Sequence, residues 1–121
     1  MPRFRILVID DESIMREYVE EAMVRAGHLV DAVPSGAEGV AAFERDGHDL
    51  VVTDLKMTPL DGIAVLTRVL EINRDTPVIV MTAYGTIETA VTALKAGAAD
   101  YILKPFTPDA LELAVSRAIE A

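Results

Sequence analysis

Three acidic residues and one lysine stand directly after apolar runs of this sequence, where a chain would leave a buried strand. Asp10 and Asp11 follow the first such run, Asp54 follows the third, and Lys104 follows the fifth. Carboxylate oxygens without histidine or cysteine partners select a hard cation, and Mg²⁺ suits them because it accepts a few carboxylates together with water. A cluster of this kind either holds a metal ion or receives an electrophile, such as a phosphoryl group, on one carboxylate.

Short β-branched apolar runs alternate along the chain with segments of helical periodicity. The runs are continuous and not alternating, which is typical of strands buried on both faces of a parallel sheet. Helices are predicted over about 14–26, 35–46, 61–73 and 86–96 and from 107 onward. The fold class is therefore α/β, a (βα)₅ chain forming one domain over residues 1–121. The predicted strands are Phe4–Ile9, Leu29–Val33, Leu50–Thr53, Val78–Thr82 and Tyr101–Leu103.

Parallel strands joined by right-handed crossovers all end at one edge of their sheet, where open α/β sheets bind ligands. Asp10, Asp11, Asp54 and Lys104 are expected to meet at that edge, together with Thr82 at the end of the fourth strand. The second strand ends without a charged or nucleophilic group, as an edge strand does in the flavodoxin-like strand order 2-1-3-4-5. The predicted architecture is thus a flavodoxin-like three-layer sandwich.

The composition argues against several functions. The 121 residues carry 11 Lys and Arg against 20 Asp and Glu, a formal net charge of −9, so direct nucleic-acid contact is not expected. The sequence has no cysteine, which excludes a thiolate zinc site and a catalytic cysteine. No apolar run has the length of a signal peptide or a membrane span, so we expect no membrane contact and a cytoplasmic location. His28 and His48 precede the second and third strands and are interpreted as surface or structural residues.

Five stretches, in characteristic order and spacing over essentially the whole chain, resemble bacterial response-regulator receiver domains. They are Ile6-Leu-Val-Ile-Asp-Asp-Glu12, Val52-Thr-Asp-Leu-Lys-Met57, Leu60-Asp-Gly62, Val80-Met-Thr-Ala-Tyr-Gly85 and Gly97-Ala-Ala-Asp-Tyr-Ile-Leu-Lys-Pro-Phe106. Residues 83–91 and 97–106 look most like receivers of enhancer-binding transcription activators. The resemblance implies a phosphorylation-controlled signalling module of a two-component system, and not a turnover enzyme.

The resemblance also implies a role for each residue of the cluster. Asp54 is implied to accept a phosphoryl group from the histidine of a sensor kinase, in a domain that assists its own phosphorylation and dephosphorylation. Asp11 is implied to be a direct Mg²⁺ ligand, and Asp10 a ligand directly or through water. Asp54 and the backbone carbonyl of Lys56 would complete the protein ligands. Lys104 would pair with the phosphoryl oxygens.

A conformational switch is implied as well. Thr82 would hydrogen-bond the phosphoryl group, and Tyr101 would swing inward behind it. This movement would alter the face formed by the fourth helix, fifth strand and fifth helix, through which the activated domain is expected to form a homodimer. ATPase and DNA-binding output domains would belong to the full-length protein, of which this chain would be an excised N-terminal regulatory domain.

One position departs from the pattern of the family. A proline is usual directly after Met57, whereas this chain has Thr58 there and proline one residue later, at Pro59. Asp61 keeps its expected distance from Asp54, so the difference is interpreted as a substitution and not an insertion. The substitution bears on the rigidity of this loop. The resemblance also implies a cis peptide bond between Lys104 and the following proline.

Several competing functions and roles stay open at this point. Asp10 and Asp11 could instead cap the first helix, where acids are favoured. An aspartate-nucleophile phosphatase typically has an acid two residues after its nucleophile, but Lys56 holds that position here. A flavodoxin-like nucleotide binder needs a phosphate-binding loop after the first strand. Here Glu12 and the two acids before it would repel the phosphate. The same residues also leave open a stand-alone phosphorelay shuttle and a phosphate-independent receiver-like scaffold.

Overall fold

The computed structural model describes residues 3–120. Strands and helices alternate throughout, as expected from the sequence. Within the described residues, no helix is both long and apolar enough to cross a membrane. The elements in chain order are β1 (Arg5–Ile9), α1 (Ser13–Arg25), β2 (Leu29–Val33), α2 (Gly36–Asp46), β3 (Leu50–Asp54), α3 (Gly62–Ile72), β4 (Val78–Thr82), α4 (Ile87–Lys95), β5 (Asp100–Leu103) and α5 (Pro108–Glu120).

The five strands form one parallel sheet in the order β2-β1-β3-β4-β5, so the predicted α/β fold and strand order are confirmed. β2 lies at one edge, which agrees with the absence of site residues at its end. The register pairs Asp54 with Met81 and Thr82 with Leu103. The ends of β3, β4 and β5 therefore lie side by side.

Side chains from the two faces of the sheet build two separate hydrophobic layers. Leu7, Val51 and Val80 face one layer, which α2, α3 and Ala93 of α4 cover. Val8 and Val52 face the other, which α1 and α5 cover. Because successive strand residues point to opposite faces, each central strand needs apolar residues at every position, and this explains its continuous apolar run.

The helix ends follow the local signals of the sequence. Ser35 caps α2, since its side chain accepts a hydrogen bond from Glu38 N at 3.1 Å. Gly47 ends this helix with a left-handed φ of 64°, and Gly27 follows α1 with a φ of 95°. The Thr107 hydroxyl accepts from Ala110 N at 3.1 Å at the start of α5. Each of these residues is of a type that is typical of the helix end at which it lies.

Other details differ from the expectations. β1 begins at Arg5 and β5 at Asp100, each one residue from the predicted start, and β3 includes Asp54. Ile14 fits the apolar spacing of α1, but its exposed fraction is 78%. Ile14 lies in the first turn of the helix, near the carboxyl edge of the sheet.

His48 is buried, so of the two alternatives for this residue, surface or structural, the structural one is confirmed. Its Nε2 lies 2.7 Å from Asp31 Oδ2, and its ring stacks on Phe43 with centroids 6.3 Å apart. Asp31, Asp46 and His48 could together hold a metal ion. However, the guanidinium of Arg5 already lies 3.5 Å from Asp31 and 3.9 Å from Asp46, and supplies positive charge to this group.

Candidate acidic phosphoacceptor site

Asp10, Asp11 and Asp54 form one cluster at the carboxyl edge of the sheet, as the sequence predicts. One carboxylate oxygen of each lies within 4.8 Å of the others, close enough to share a metal ion. Asp10 and Asp54 are buried, whereas Asp11 is exposed. The cluster therefore has two desolvated carboxylates and one that faces solvent.

Lys104 reaches this cluster from the end of β5. Its Nζ lies 3.0 Å from Asp10 Oδ2 and 3.2 Å from Asp54 Oδ1, so one ammonium bridges two buried carboxylates. Burial alone lowers the pKa of Lys104, but the hydrogen bond to Asp10 and the charges of both carboxylates outweigh it and raise the pKa above 10.5. The lysine remains charged.

Burial raises the pKa of Asp54, whereas it lowers the pKa of a lysine such as Lys104. Burial is the largest cause that raises the pKa of Asp54 above 3.8, and the charge of Asp10 raises it further. Lys104 lowers this pKa by its charge and hydrogen bond, but only in part. The Asp54 carboxylate thus carries a negative charge that its surroundings incompletely compensate, and a cation or an electrophile would relieve this.

The loop between β1 and α1 is fixed by hydrogen bonds to Asp10. Its Oδ1 accepts from Glu12 N at 3.0 Å, and its backbone carbonyl accepts from Arg16 Nη1 at 2.9 Å. The residue at the N-cap of α1 is Glu12, and its side chain makes no capping hydrogen bond. The hypothesis that Asp10 and Asp11 cap the first helix is therefore wrong, although Asp10 does order the approach to it.

The loop after Asp54 packs tightly under the site. A Cβ at Gly62 would overlap the carbonyl oxygen of Asp54 and lie 2.8 Å from Leu55 Cα, so only glycine fits there. Asp61 caps α3 by accepting from Ala64 N at 2.9 Å. Of the two cis peptide bonds within residues 3–120, the Lys104–Pro105 bond is the implied one, and the Thr58–Pro59 bond was not expected.

A cleft of about 430 Å³ opens over the cluster. Lys56, Ala83 and Tyr84 line it together with Asp54 and Lys104. Thr82 is fully buried at the end of β4, and its Oγ1 accepts from Tyr84 N at 3.0 Å. The small side chain of Ala83 leaves room beside the carboxylate.

Tyr101 lies away from the carboxylates. Its ring is half-buried against the core layer of α2 and α3, and its hydroxyl lies 2.6 Å from Thr89 Oγ1 in α4. The structure therefore brings Asp10, Asp11, Asp54 and Lys104 into contact, with Thr82 beside them on the neighbouring strand. Tyr101 is not among the residues that line the cleft, and its hydroxyl contacts α4 instead.

Sequence reasoning missed two residues that position this site. Arg16 holds the Asp10 carbonyl from the second turn of α1, and no periodicity of the sequence marks it. Thr89 holds the Tyr101 hydroxyl; its only signal is the spacing from Thr86, which places a second hydroxyl at the third position of a capped helix.

The donor set fits a hard divalent cation. Three carboxylates supply oxygen ligands only, and Lys104 offsets one of the three negative charges, so a dication would balance the remainder. Carboxylates in this number leave room for water in the coordination shell, as Mg²⁺ requires. The cluster can hold a metal ion and can present one carboxylate to an electrophile.

Fold and site together define a response regulator receiver domain. The family model with that description matches residues 6–116, and the chain belongs to this family, whose members are phosphoacceptor signalling modules of two-component systems with an acidic Mg²⁺ pocket.

Particular relatives are similar over almost the whole chain. Regulatory protein AtoC of Escherichia coli (strain K12) is 40% identical over 116 residues, which cover 96% of this chain and 25% of AtoC. Transcriptional regulatory protein ZraR of the same organism is 39% identical over 115 residues, 94% of this chain and 26% of ZraR. The crystal structure of NtrX from Brucella abortus in complex with ADP has a TM-score of 0.93 at 35% identity, covering 98% of this chain and 27% of that one. The chain thus spans about a quarter of the length of these proteins.

Proposed function

We propose that this domain accepts a phosphoryl group on Asp54 from the phosphohistidine of a sensor histidine kinase, and that residues 1–121 act as one receiver domain. The observation that carries the proposal is the position of Asp54. Its buried carboxylate shares the Lys104 ammonium with a second buried acid, Asp10, under an open cleft. Its negative charge is incompletely compensated, which suits a nucleophile.

In the proposed transfer, a carboxylate oxygen of Asp54 attacks phosphorus while the phosphorus–nitrogen bond of the donor breaks. The imidazole keeps the bonding electron pair, and an acyl phosphate forms on Asp54. Lys104 pairs with the phosphoryl oxygens, on which negative charge concentrates in the transition state. The chain assists the reaction by this placement of charge, in both phosphorylation and dephosphorylation.

Asp10, Asp11, Asp54 and the backbone carbonyl of Lys56 hold Mg²⁺ in this proposal. The support is the all-oxygen donor set of the three carboxylates, within 4.8 Å of one another, and the position of Lys56 at the same cleft. Bound Mg²⁺ would neutralise the carboxylates and stabilise charge on the phosphoryl oxygens.

Thr82 and Tyr101 carry the signal outward. The Thr82 hydroxyl, which accepts from Tyr84 N, has its own proton to donate to the phosphoryl group. Its displacement toward the site opens space for Tyr101, whose ring stands on the neighbouring strand. The face of α4, β5 and α5 changes with it. This face exposes the apolar side chains Ile87, Val91, Leu94, Leu103 and Leu113, which support homodimer formation in the activated state.

The output of the switch is proposed to be transcription activation. The similarity to ZraR, a transcriptional regulatory protein about four times as long as the matched region, supports this. In the proposal, ATPase and DNA-binding domains of a longer protein execute the output, while this acidic domain touches no nucleic acid. The same proposal places the domain in the cytoplasm, where ATP supplies the kinase with phosphoryl groups.

Intact-mass spectrometry after incubation with acetyl phosphate tests the proposal. We expect a Mg²⁺-dependent mass gain of one phosphoryl group, which Asp54→Asn abolishes. Glu12→Gln is the matched control, because Glu12 lines the same cleft outside the carboxylate cluster and should leave the gain intact. Binding of beryllium fluoride, a stable phosphoryl mimic, controls for an aspartyl phosphate that hydrolyses too rapidly to be detected. Sedimentation of the same samples then tests whether the activated domain forms the proposed homodimer. If neither a mass gain nor beryllium fluoride binding occurs, the proposal is wrong and a phosphate-independent scaffold is the better hypothesis.

A further inference from the structure

A pair of hydroxyl groups joins β5 to the beginning of α4. Tyr101 Oη lies 2.6 Å from Thr89 Oγ1, although the two residues belong to different elements. The Tyr101 ring packs against the core layer of α2 and α3, which fixes its direction. The contact is therefore made by a supported ring and not by two solvated side chains.

Thr89 Oγ1 is also part of the N-terminal cap of α4. It accepts from Thr86 N at 2.9 Å and donates to the Thr86 carbonyl oxygen at 3.0 Å, while Thr89 N donates to Thr86 Oγ1 at 3.1 Å. Thr86 Oγ1 itself lies 3.2 Å from Thr89 Oγ1. The Thr89 hydroxyl therefore belongs to one hydrogen-bonded group that includes both the cap of α4 and Tyr101 Oη. The tyrosine hydroxyl is thereby linked to the cap.

The loop between β4 and α4 closes over the same hydroxyl. A Cβ at Gly85 would lie 3.2 Å from Tyr101 Oη and would overlap Leu103 Cδ2. Tyr101 Oη is thus enclosed by the start of α4 on one side and by this loop on the other. A shift of the ring must displace one or both.

We propose that Thr89 is a positioning residue that attaches Tyr101 to the N-terminus of α4, so that displacement of the Tyr101 ring moves this helix. The attachment matters because Ala93 is the one buried residue of α4, and the helix has little other anchorage in the core. The inference rests on the proposed function, because phosphorylation of Asp54 would supply the displacement of the Tyr101 ring. The hydrogen bond between Tyr101 and Thr89 is present without phosphorylation.

Ligand-free protein provides the first test. Thr89→Val removes the hydroxyl at nearly constant volume, and Thr89→Ser is the matched control that keeps it. We expect the ¹³Cζ chemical shift of Tyr101 to change in Thr89→Val and to stay near wild type in Thr89→Ser. Amide exchange in the first turn of α4 should accelerate about 2- to 10-fold in Tyr101→Phe, the range that one hydrogen bond supplies. Adding Tyr101→Phe to Thr89→Val should produce no further acceleration.

Beryllium fluoride with Mg²⁺ provides the second test. Amide chemical shifts near Asp54 should change in wild type and in both Thr89 variants. The amide shifts of α4 should change only in wild type and in Thr89→Ser, which keep the hydroxyl at position 89. Equal responses of α4 in the valine and serine variants, or an unchanged Tyr101 ¹³Cζ shift in Thr89→Val, would overturn the inference. The ligand-free measurements decide it even if beryllium fluoride fails to bind, so its failure is distinguishable from failure of the proposed function.

Discussion

Replacing Asp54 with asparagine should make the metal-free protein more stable. Oxygens of Asp10 and Asp11 lie within 4.8 Å of an Asp54 oxygen. At 4.8 Å, the upper limit of that separation, each pair of like charges repels by about 3.5 kcal/mol at an effective dielectric constant near 20. Lys104, 3.2 Å from Asp54, offsets about 5 kcal/mol of this repulsion on the same scale. After a discount for the solvent around exposed Asp11, these charge interactions of Asp54 cost about 1–2 kcal/mol, and the burial of its carboxylate acts in the same direction.

Urea and thermal unfolding in EDTA at neutral pH measure this difference. Asp54→Asn should gain about 1–2 kcal/mol, with a rise in Tm of about 5 °C for a domain of this size. Mg²⁺ should narrow the gap, because it binds the folded wild type and stabilises it by mass action. Asp75→Asn, at an exposed carboxylate in the loop before β4, is the control and should lie within about 0.5 kcal/mol of wild type.

The pH dependence of unfolding tests independently whether the Asp54 charge destabilises the folded state. The pKa of Asp54 is raised above 3.8, so the folded state binds its proton more tightly than the unfolded state does. The stability of wild type relative to Asp54→Asn should therefore fall as the pH rises from 3.8 through the raised pKa, and the two proteins should converge below that window. An Asp54→Asn protein that is no more stable than wild type in EDTA, or a gap that Mg²⁺ leaves unchanged, would refute the reasoning.

Two other substitutions probe the surroundings of the site, and a third probes the N-terminal cap of α2. Lys104→Met should destabilise the metal-free protein by about 3 kcal/mol in urea unfolding, because it leaves two buried carboxylates without their cation; a loss below about 1 kcal/mol would contradict this. Gly62→Ala should cost about 1–3 kcal/mol, because the new methyl group meets the Asp54 carbonyl. An unchanged Tm of Gly62→Ala in calorimetry would contradict the expected overlap of its methyl group with the Asp54 carbonyl. Ser35→Ala should lose about 1 kcal/mol of α2 capping in urea unfolding, whereas Ser35→Asp should retain most of it.

The sheet and its functional edge could be predicted because their causes are local in the sequence. Each central strand is apolar at nearly every position, and a charged or hydroxyl residue marks its end. Parallel connectivity then brings these ends together without further information. Asp10, Asp11 and Asp54 meet for this reason, and Lys104 joins them from the last strand.

The remaining features depend on contacts between distant residues. Ile14 has the spacing of a core residue, but periodicity does not tell which turn of a helix extends past its neighbours. His48, in the loop before β3, is buried where Asp31 of β2 supplies a hydrogen-bond partner. The contact between Tyr101 and Thr89 likewise depends on how closely α4 approaches β5, which no propensity or cap encodes.

The small buried area of α4, in which Ala93 is the one buried residue, has an energetic consequence. Ile87, Val91 and Leu94 are already in contact with water, so moving the helix changes their hydration little. The buried methyl group of Ala93 contributes only about 1 kcal/mol to holding the helix in place. Inverting a 1:99 population of two helix positions requires about 5.5 kcal/mol of differential binding, an amount within reach of a few charge-assisted hydrogen bonds. In the proposed switch, one phosphoryl group therefore supplies enough free energy to redistribute α4 between two positions at little cost in core packing.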